Sequence, residues 1–534
     1  MQYDPLYQPF PSRRTTVYGK KGMVATAQNL AAMAGMDILK KGGNAIDAAI
    51  ATAACLTIVE PCSNGIGGDA FALIWHKGKL HGLNASGAAP LKLTGENVRS
   101  AGHEEMPLFG WFPVTIPGVP AAWAEMSAKF GRLTLPEVLE PAIKYAEEGH
   151  PVSPTVAKYW DRAFKRYEHL KNEEKFSYWF KTFAPGGRPP KAGETWQAPD
   201  HARSLKAIAE SGGEDFYRGR LAEKIIDYAA ATGGFITKED LEAFRPKWVE
   251  PIGTSYRGYN VWEIPPNGQG LVALIALNIL QGFEFKERNS ADTVHKQIEA
   301  VKLAFADGLK HITDPAKMTI KTAELLSEEY AAERRKMITE EAVLPEPGKP
   351  PQGGTVYMAA ADAEGNMISF IQSNFLGFGS GLVVPETGIA LHNRGKTFSL
   401  DPAHSNYLEP GKKTFHTIIP GFLTKGKEAV GPFGVMGAYM QPQGHVQVIM
   451  DTVDFGLNPQ ATLDAPRWRW IEKKSIELER YFPMHIGDVL QSKGHDIQVS
   501  LDPFFLGRGQ IIWEIDGVLA GGTDPRLDGA VAAW

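Results

Sequence analysis

Apolar positions change their period along this chain, and the change divides it unevenly. Before residue 342 most apolar runs recur every three or four positions, as do Val294, Ile298, Val301 and Phe305, the spacing of one helical stripe. On that period helices are expected over 30–40, 120–129, 135–148, 156–165, 201–211, 220–232, 238–244, 271–280 and 292–307. Asn29 supplies an N-cap for the first of these and Gly42-Gly43 closes it. A further helix starts at Asn44 or Asp47 and runs to about Val59. It is so rich in alanine that it reads as a buried, closely packed helix. Strand-like runs interrupt this region at 22–27, 70–76, 80–84, 252–256 and 259–264.

Beyond residue 355 short apolar runs take over, at 356–361, 367–372, 389–391, 417–423, 429–434 and 511–515, with helices near 443–454 and 459–465. A helix-rich first two-thirds is thus joined to a strand-rich last third. The early strands need partners, and the late ones can supply them in mixed sheets. The expected fold is therefore α/β, with both parts interwoven in one unit.

The join itself is the most informative stretch. Residues 343–354, VLPEPGKPPQGG, hold four prolines and three glycines in twelve positions, which excludes a helix or a central strand. Two apolar runs follow, separated by the turn-rich Asp362-Ala363-Glu364-Gly365-Asn366, the pattern of a β-hairpin. Thr355 lies nine residues before Glu364 and Ser373 nine after it. In a regular hairpin their Cβ atoms are cross-strand neighbours, about 5 Å apart.

A threonine hydroxyl needs an adjacent base to act as a nucleophile. An α-amine on the same residue, with a pKa near ~8, can serve. That amine exists only if the Gly354–Thr355 bond is cut, by attack of the Thr355 hydroxyl on the Gly354 carbonyl. The plainer reading of the same residues is a threonine that opens a strand after a linker.

Composition narrows the function classes. Among 534 residues, 43% hydrophobic and 22% charged content describe an ordinary globular protein, and the net charge of −5 shows no basic excess. Nucleic-acid binding is therefore not expected. Two cysteines, Cys55 and Cys62, make neither a disulfide framework nor a metal quartet. The first 30 residues lack an apolar leader and no run of 18 apolar residues occurs, so the expectation is a cytoplasmic protein without a membrane span.

His416 and His445 stand alone, no HExxH or GxSxG is present, and no metal or other cofactor is expected. The glycines of Pro61–Asp69 lack the phosphate-loop lysine and precede a strand, so they read as backbone close to a site or a turn. In the run Phe433–His445, a small-residue pair before a helix can present two N–H groups as an oxyanion hole, or simply form a tight turn.

Taken in order, several segments resemble the γ-glutamyltransferase family of N-terminal nucleophile hydrolases, which includes glutathione hydrolases and related cephalosporin acylases. They are GGNAIDAAIA (42–51), SNGIGGDAFAL (63–73), TIPGVPAAW (115–123), IEAVKLAFAD (298–307), GGTVYMAAADAEGN (353–366), FGSG (378–381), DFGLNPQATLDAPRW (454–468) and GGTDPRLDG (521–529).

The resemblance implies a stacked αββα sandwich. It implies a proenzyme cut into a large subunit, 1–354, and a small one, 355–534, with a homodimer of that pair one assembly it allows. It further implies a transferase or hydrolase of glutathione-like γ-glutamyl amides, working through a Thr355 acyl-enzyme that passes its acyl group to water or an amine. Ser373 then matches the family's second hydroxyl, and Gly437 and Ala438 match its oxyanion pair.

Departures concentrate where the family binds the glutamyl head. Ser86 stands where an arginine holds the α-carboxylate, and Thr397 where an aspartate holds the α-amine. His416-Thr417 replace a serine pair, and Asn393 and Arg394 flank the site, Arg394 as an alternative carboxylate anchor. The segment between Ser399 and Pro410 is short, which implies that the family's active-site lid loop is absent. These changes leave three readings open: γ-glutamyl amides, glutaryl- or cephalosporin-type acyl amides, and an uncleaved protein that binds without catalysis.

Overall fold

A computed structural model describes residues 14–344 and 355–534. Among them two seven-stranded sheets stack face to face, and every ladder in both is antiparallel. One parallel pair occurs elsewhere, between Ser475–Glu479 and Asp496–Ser500 in a small third sheet.

Each large sheet draws strands from both sides of residue 355. In the first, the hairpin Val356–Asp362 and Met367–Ser373 sits between Gly22–Thr26 and Asp69–His76. In the second, Glu428–Met436 lies between Gly421–Lys425 and Arg508–Ile515, and Gly421–Lys425 in turn pairs with Tyr259–Glu263.

Helices close both outer faces. Asn29–Lys40 and Ala45–Val59 cover the hairpin sheet, while Gly270–Gln281 and Met440–Val453 cover the other. Every residue of Ala45–Val59 is buried, as its alanine content requires. Asn44 starts it by accepting from the Ile46 and Asp47 N–H groups, and the Asp47 carboxylate returns the bond to Asn44. The Ala45 N–H points to Asp362 Oδ2 at 2.9 Å, which ties this helix to the hairpin turn.

Two expected strands are not formed as written. Residues 389–391 make only isolated bridges, to Gly67 and Val383, because their neighbours pair with loops. The run expected over 417–423 begins its strand only at Gly421. Upstream, His416 is held by the loop at 267–269: its N–H donates to the Asn267 carbonyl and its carbonyl accepts from Gln269 N–H. Residues 345–354, including Gly353 and Gly354, and the first thirteen residues lie outside the described ones.

Candidate active site

The hairpin is buried on both faces, so its ends are the only places where it can present chemistry. Its register pairs Val356 with Gln372, which puts Thr355 opposite Ser373. Their hydroxyls meet at 3.1 Å, both side chains almost fully buried. Ser373 Oγ also accepts from the Phe375 N–H at 2.8 Å, so its remaining proton is oriented toward other partners. The next residue, Asn374, is buried and has both side-chain polar atoms without a hydrogen-bond partner among the described residues.

Glycines make room for this turn. A Cβ on Gly68 would come within 2.6 Å of the Ser373 carbonyl, and one on Gly67 within 2.3 Å of the Ala390 carbonyl. The glycine-rich segment is thus backbone packed against the end of the hairpin.

The facing sheet brings the turn after Met436. Gly437 has φ 135° and Ala438 φ 53°, a left-handed position for a residue with a side chain. Neither N–H donates a hydrogen bond among the described residues. The Ala438 carbonyl is anchored instead, accepting from Gln269 Nε2 at 2.8 Å, and the same amide donates to the Thr417 carbonyl at 2.6 Å. Gln269 therefore couples the turn to the residues expected to meet substrate.

Those residues fall into two groups. Ser86 bonds Asn84 Oδ1 at 2.7 Å beside Asn267. Asn393 spends its amide on the Leu108 and Gly379 carbonyls and its oxygen on the Leu376 N–H. Thr397 Oγ1 contacts the carbonyls of Arg394 and Phe415 and the Thr414 hydroxyl. His416 Nε2 meets Asp69 Oδ2 at 2.8 Å, and burial pushes the imidazole pKa down to about 3, so it is neutral. Each of these is satisfied within the fold.

Arg394 is different. It is fully buried, its Nη1 donates to Thr417 Oγ1 at 2.7 Å, and its guanidinium lies over the Phe375 ring at 4.5 Å. Its Nε and Nη2 have no hydrogen-bond partner among the described residues. Burial lowers its pKa to about 10, with Asp69 opposing, so the group stays charged near neutrality. Asp69 is 3.5 Å from Arg394 Nε and 3.2 Å from His392 Nδ1. Burial alone would raise the Asp69 carboxyl, but His392, His416 and their hydrogen bonds hold it well below the usual carboxylate range.

His392, Gln269 and Asn374 carry no local signature in the chain. Only Asp69, closing the glycine-rich segment before a strand, left a sequence signal that could have drawn attention.

A hydroxyl at a strand start, a facing turn whose two N–H groups donate no hydrogen bond among the described residues, and a buried cation make up the candidate active site. The Gamma-glutamyltranspeptidase family model matches residues 31–534. The crystal structure of cephalosporin acylase from Bacillus halodurans superimposes with a TM-score of 0.97 at 61% identity, covering 100% of this chain and 99% of that one. The glutathione hydrolase-like YwrD proenzyme of Bacillus subtilis is 38% identical over 96% of this chain and 99% of its own length. The oxamate amidohydrolase proenzyme of Klebsiella pneumoniae is 36% identical over 96% and 98%.

This chain belongs to the γ-glutamyltranspeptidase family. It has the αββα sandwich of N-terminal nucleophile hydrolases and is an enzyme of the γ-glutamyl or acyl-amide hydrolase type.

Proposed function

We propose that the chain is made as a proenzyme, splits itself before Thr355, and then hydrolyses amides of small acyl groups that end in a carboxylate. In processing, the Thr355 hydroxyl attacks the Gly354 carbonyl carbon, the C–N bond breaks as nitrogen takes the proton, and water hydrolyses the resulting ester. The products are a Gly354 carboxylate and a free Thr355 amine. In turnover that amine accepts the Thr355 hydroxyl proton as oxygen attacks the substrate carbonyl. The Gly437 and Ala438 N–H groups bind the oxyanion, and the ammonium returns its proton to the departing amine. Water then attacks the ester, the α-amine takes its proton, and the acid leaves.

The observation that carries the substrate class is Arg394, buried and charged, with Nη2 lacking a hydrogen-bond partner among the described residues while Nε lies 3.5 Å from Asp69. It is joined to Ser373 through Phe375, whose ring it overlies and whose N–H bonds Ser373 Oγ. A distal carboxylate fits this cation. Among the described residues the buried carboxylate nearest Arg394, Asp69, is already shared by two histidines and Arg394 and so is not free for an α-ammonium. We therefore favour glutaryl-type over γ-glutamyl substrates. That two relatives are named for a cephalosporin acylase and an oxamate amidohydrolase supports this.

Mass spectrometry and paired kinetics test the reading. The wild type should give a fragment beginning at Thr355, and Thr355→Ala should remain whole and inactive. Glutaryl-p-nitroanilide should be turned over at least as well as γ-glutamyl-p-nitroanilide. Arg394→Met should lower kcat/KM for glutaryl by about ten- to a hundredfold, the loss of a charged hydrogen bond. An intact, inactive wild type sinks the enzymology, and strict γ-glutamyl preference sinks the specificity.

A further inference from the structure

The turn that carries Gly437 and Ala438 hangs from a strand whose end is held by two buried titratable groups. That strand, Glu428–Met436, pairs with Arg508–Ile515 on one side as far as Met436. On the other side the ladder to Gly421–Lys425 ends earlier, at the Gly421–Phe433 pair. Past Phe433 this edge has no strand beside it, and the Val435 N–H, two residues before Gly437, needs another acceptor. It donates to His445 Nε2 at 3.2 Å.

His445 comes from the helix Met440–Val453, which starts directly after the turn. Helix and strand approach closely here: a Cβ on Gly444 would fall 2.6 Å from Val435 Cγ1. The imidazole is fully buried and packs on Phe433 with ring centroids 4.9 Å apart. Its other nitrogen, Nδ1, lies 2.6 Å from Glu263 Oε1. Glu263 is fully buried as well, and a Cβ on Gly270 would come 2.9 Å from its Oε2. Gly270 opens the helix Gly270–Gln281, so this carboxylate lies at a helix N-terminus, where negative charge is favoured.

These contacts fix a protonation state. The Val435 N–H requires a lone pair on Nε2, so the one proton of a neutral imidazole sits on Nδ1 and is donated to Oε1. Glu263 must then accept, as a carboxylate. Burial raises the Glu263 carboxyl above its ordinary value, and His445 opposes that rise. Oε2 has no hydrogen-bond partner among the described residues. A buried carboxylate satisfied at one oxygen only is a costly way to fill a core. What it supplies is direction, because it holds the ring with a lone pair aimed at the strand.

The same loop acts on the far side of the turn. Gln269, next to Gly270, donates to the Ala438 carbonyl at 2.8 Å. Ala438 has φ 53°, which a residue with a side chain keeps only where its surroundings impose it.

We propose that Glu263 and His445 are positioning residues for the oxyanion turn. Glu263 sets the Nδ1–H tautomer of His445. The Nε2 lone pair then holds Val435, and through it the Gly437 and Ala438 N–H groups, where negative charge develops. The proposal rests on those two N–H groups binding the oxyanion, as argued above. Both residues are fully buried and act through the strand.

Proton–nitrogen correlation spectra of the histidine rings read the tautomer, with His445→Gln identifying the His445 signals. In the processed wild type His445 should be neutral with its proton on Nδ1, and Glu263→Met should lose that preference. His445→Phe keeps a ring against Phe433 and removes the acceptor. It should lower kcat by about ten- to a hundredfold, approaching the loss of one oxyanion donor. KM should change by less than about twofold, because oxyanion contacts strengthen in the transition state. His445→Gln, which restores an acceptor, should recover most of the loss.

An imidazolium or an Nε2–H imidazole in the wild type would overturn the proposal. So would wild-type kcat in His445→Phe, or equal losses in the Phe and Gln variants, which would mark packing alone. Should His445→Phe fail to fold or to cleave itself, the wild-type tautomer and Glu263→Met decide. A lower kcat at constant KM in Glu263→Met supports the role, and an unchanged kcat overturns it. No turnover of either p-nitroanilide by the processed wild type would overturn the proposed function and this role with it; the other outcomes overturn this role alone.

Discussion

Ser373 shows how much a single hydroxyl can carry. Its Oγ accepts from the Phe375 N–H at 2.8 Å and meets Thr355 Oγ1 at 3.1 Å. An oxygen that already accepts one hydrogen bond can direct its own proton, or a second lone pair, at the Thr355 hydroxyl. On the proposed mechanism it would fix the rotamer from which Thr355 attacks. Ser373→Ala should slow both self-cleavage and amide turnover by about a hundredfold, within the range of a positioned proton-handling group. It also leaves the buried Phe375 N–H unpaired, a cost of about 1–3 kcal/mol. Following fragment appearance and p-nitroaniline release side by side separates the two effects: a variant merely loosened in structure would lose thermal midpoint without losing cleavage. Wild-type rates in Ser373→Ala would remove the hydroxyl from the mechanism.

At the same scale, legibility in the sequence follows distance along the chain. Thr355 and Ser373 lie 18 residues apart in one hairpin, so counting outward from Glu364 pairs them. The Asp69–His416 contact spans 347 residues, and no periodicity links its ends. Arg394 was recognisable as an arginine near the site. That its Nη2 lacks a hydrogen-bond partner among the described residues was not legible, because it follows from Asp69 being shared between two histidines and Arg394 Nε.

Elements were legible where a cap and an apolar stripe coincide. The helices Leu135–Glu148 and Arg220–Thr232 begin and end where the pattern places them, the first opened by the Thr134–Glu137 capping box and the second closed by Gly233 in a left-handed turn. Strands such as Trp468–Glu472 and Asp496–Ser500 escaped, being five residues long and, in the second case, half exposed and polar. Sheet-on-sheet contacts are equally invisible in a one-dimensional pattern.

The close approach of the two sheets depends on Gly434, where a Cβ would fall 2.4 Å from Tyr357 Cε2. The Tyr357 hydroxyl is meanwhile fixed to Ser369 Oγ at 2.8 Å, so the ring cannot easily swing away. Gly434→Ala should therefore push apart the strand that leads into the Gly437–Ala438 turn and the strand that follows Thr355. An overpacking cost of about 1–3 kcal/mol is expected. The measurement is a thermal melt together with the extent of self-cleavage, and unchanged values in both would mean that the sheets have slack at this point.

For the whole molecule, the sheet topology decides what a cut before Thr355 can do. The hairpin Val356–Asp362 and Met367–Ser373 is flanked in its sheet by Gly22–Thr26 and Asp69–His76. In the other sheet, Gly421–Lys425 pairs with Tyr259–Glu263. Separating the parts on either side of residue 355 would break these ladders and expose hydrophobic core that is continuous across the cut. Buried apolar area of that extent is worth far more than the entropy gained by releasing a second chain. The two fragments should therefore run as two bands in denaturing gels yet co-elute as one particle in native size exclusion, at any salt concentration. The 355–534 segment expressed by itself should be insoluble or unfolded, since its central hairpin would present two unpaired edges. Recovery of a folded, monodisperse 355–534 fragment would contradict this argument, because it would require the hairpin to be stable without the strands that flank it.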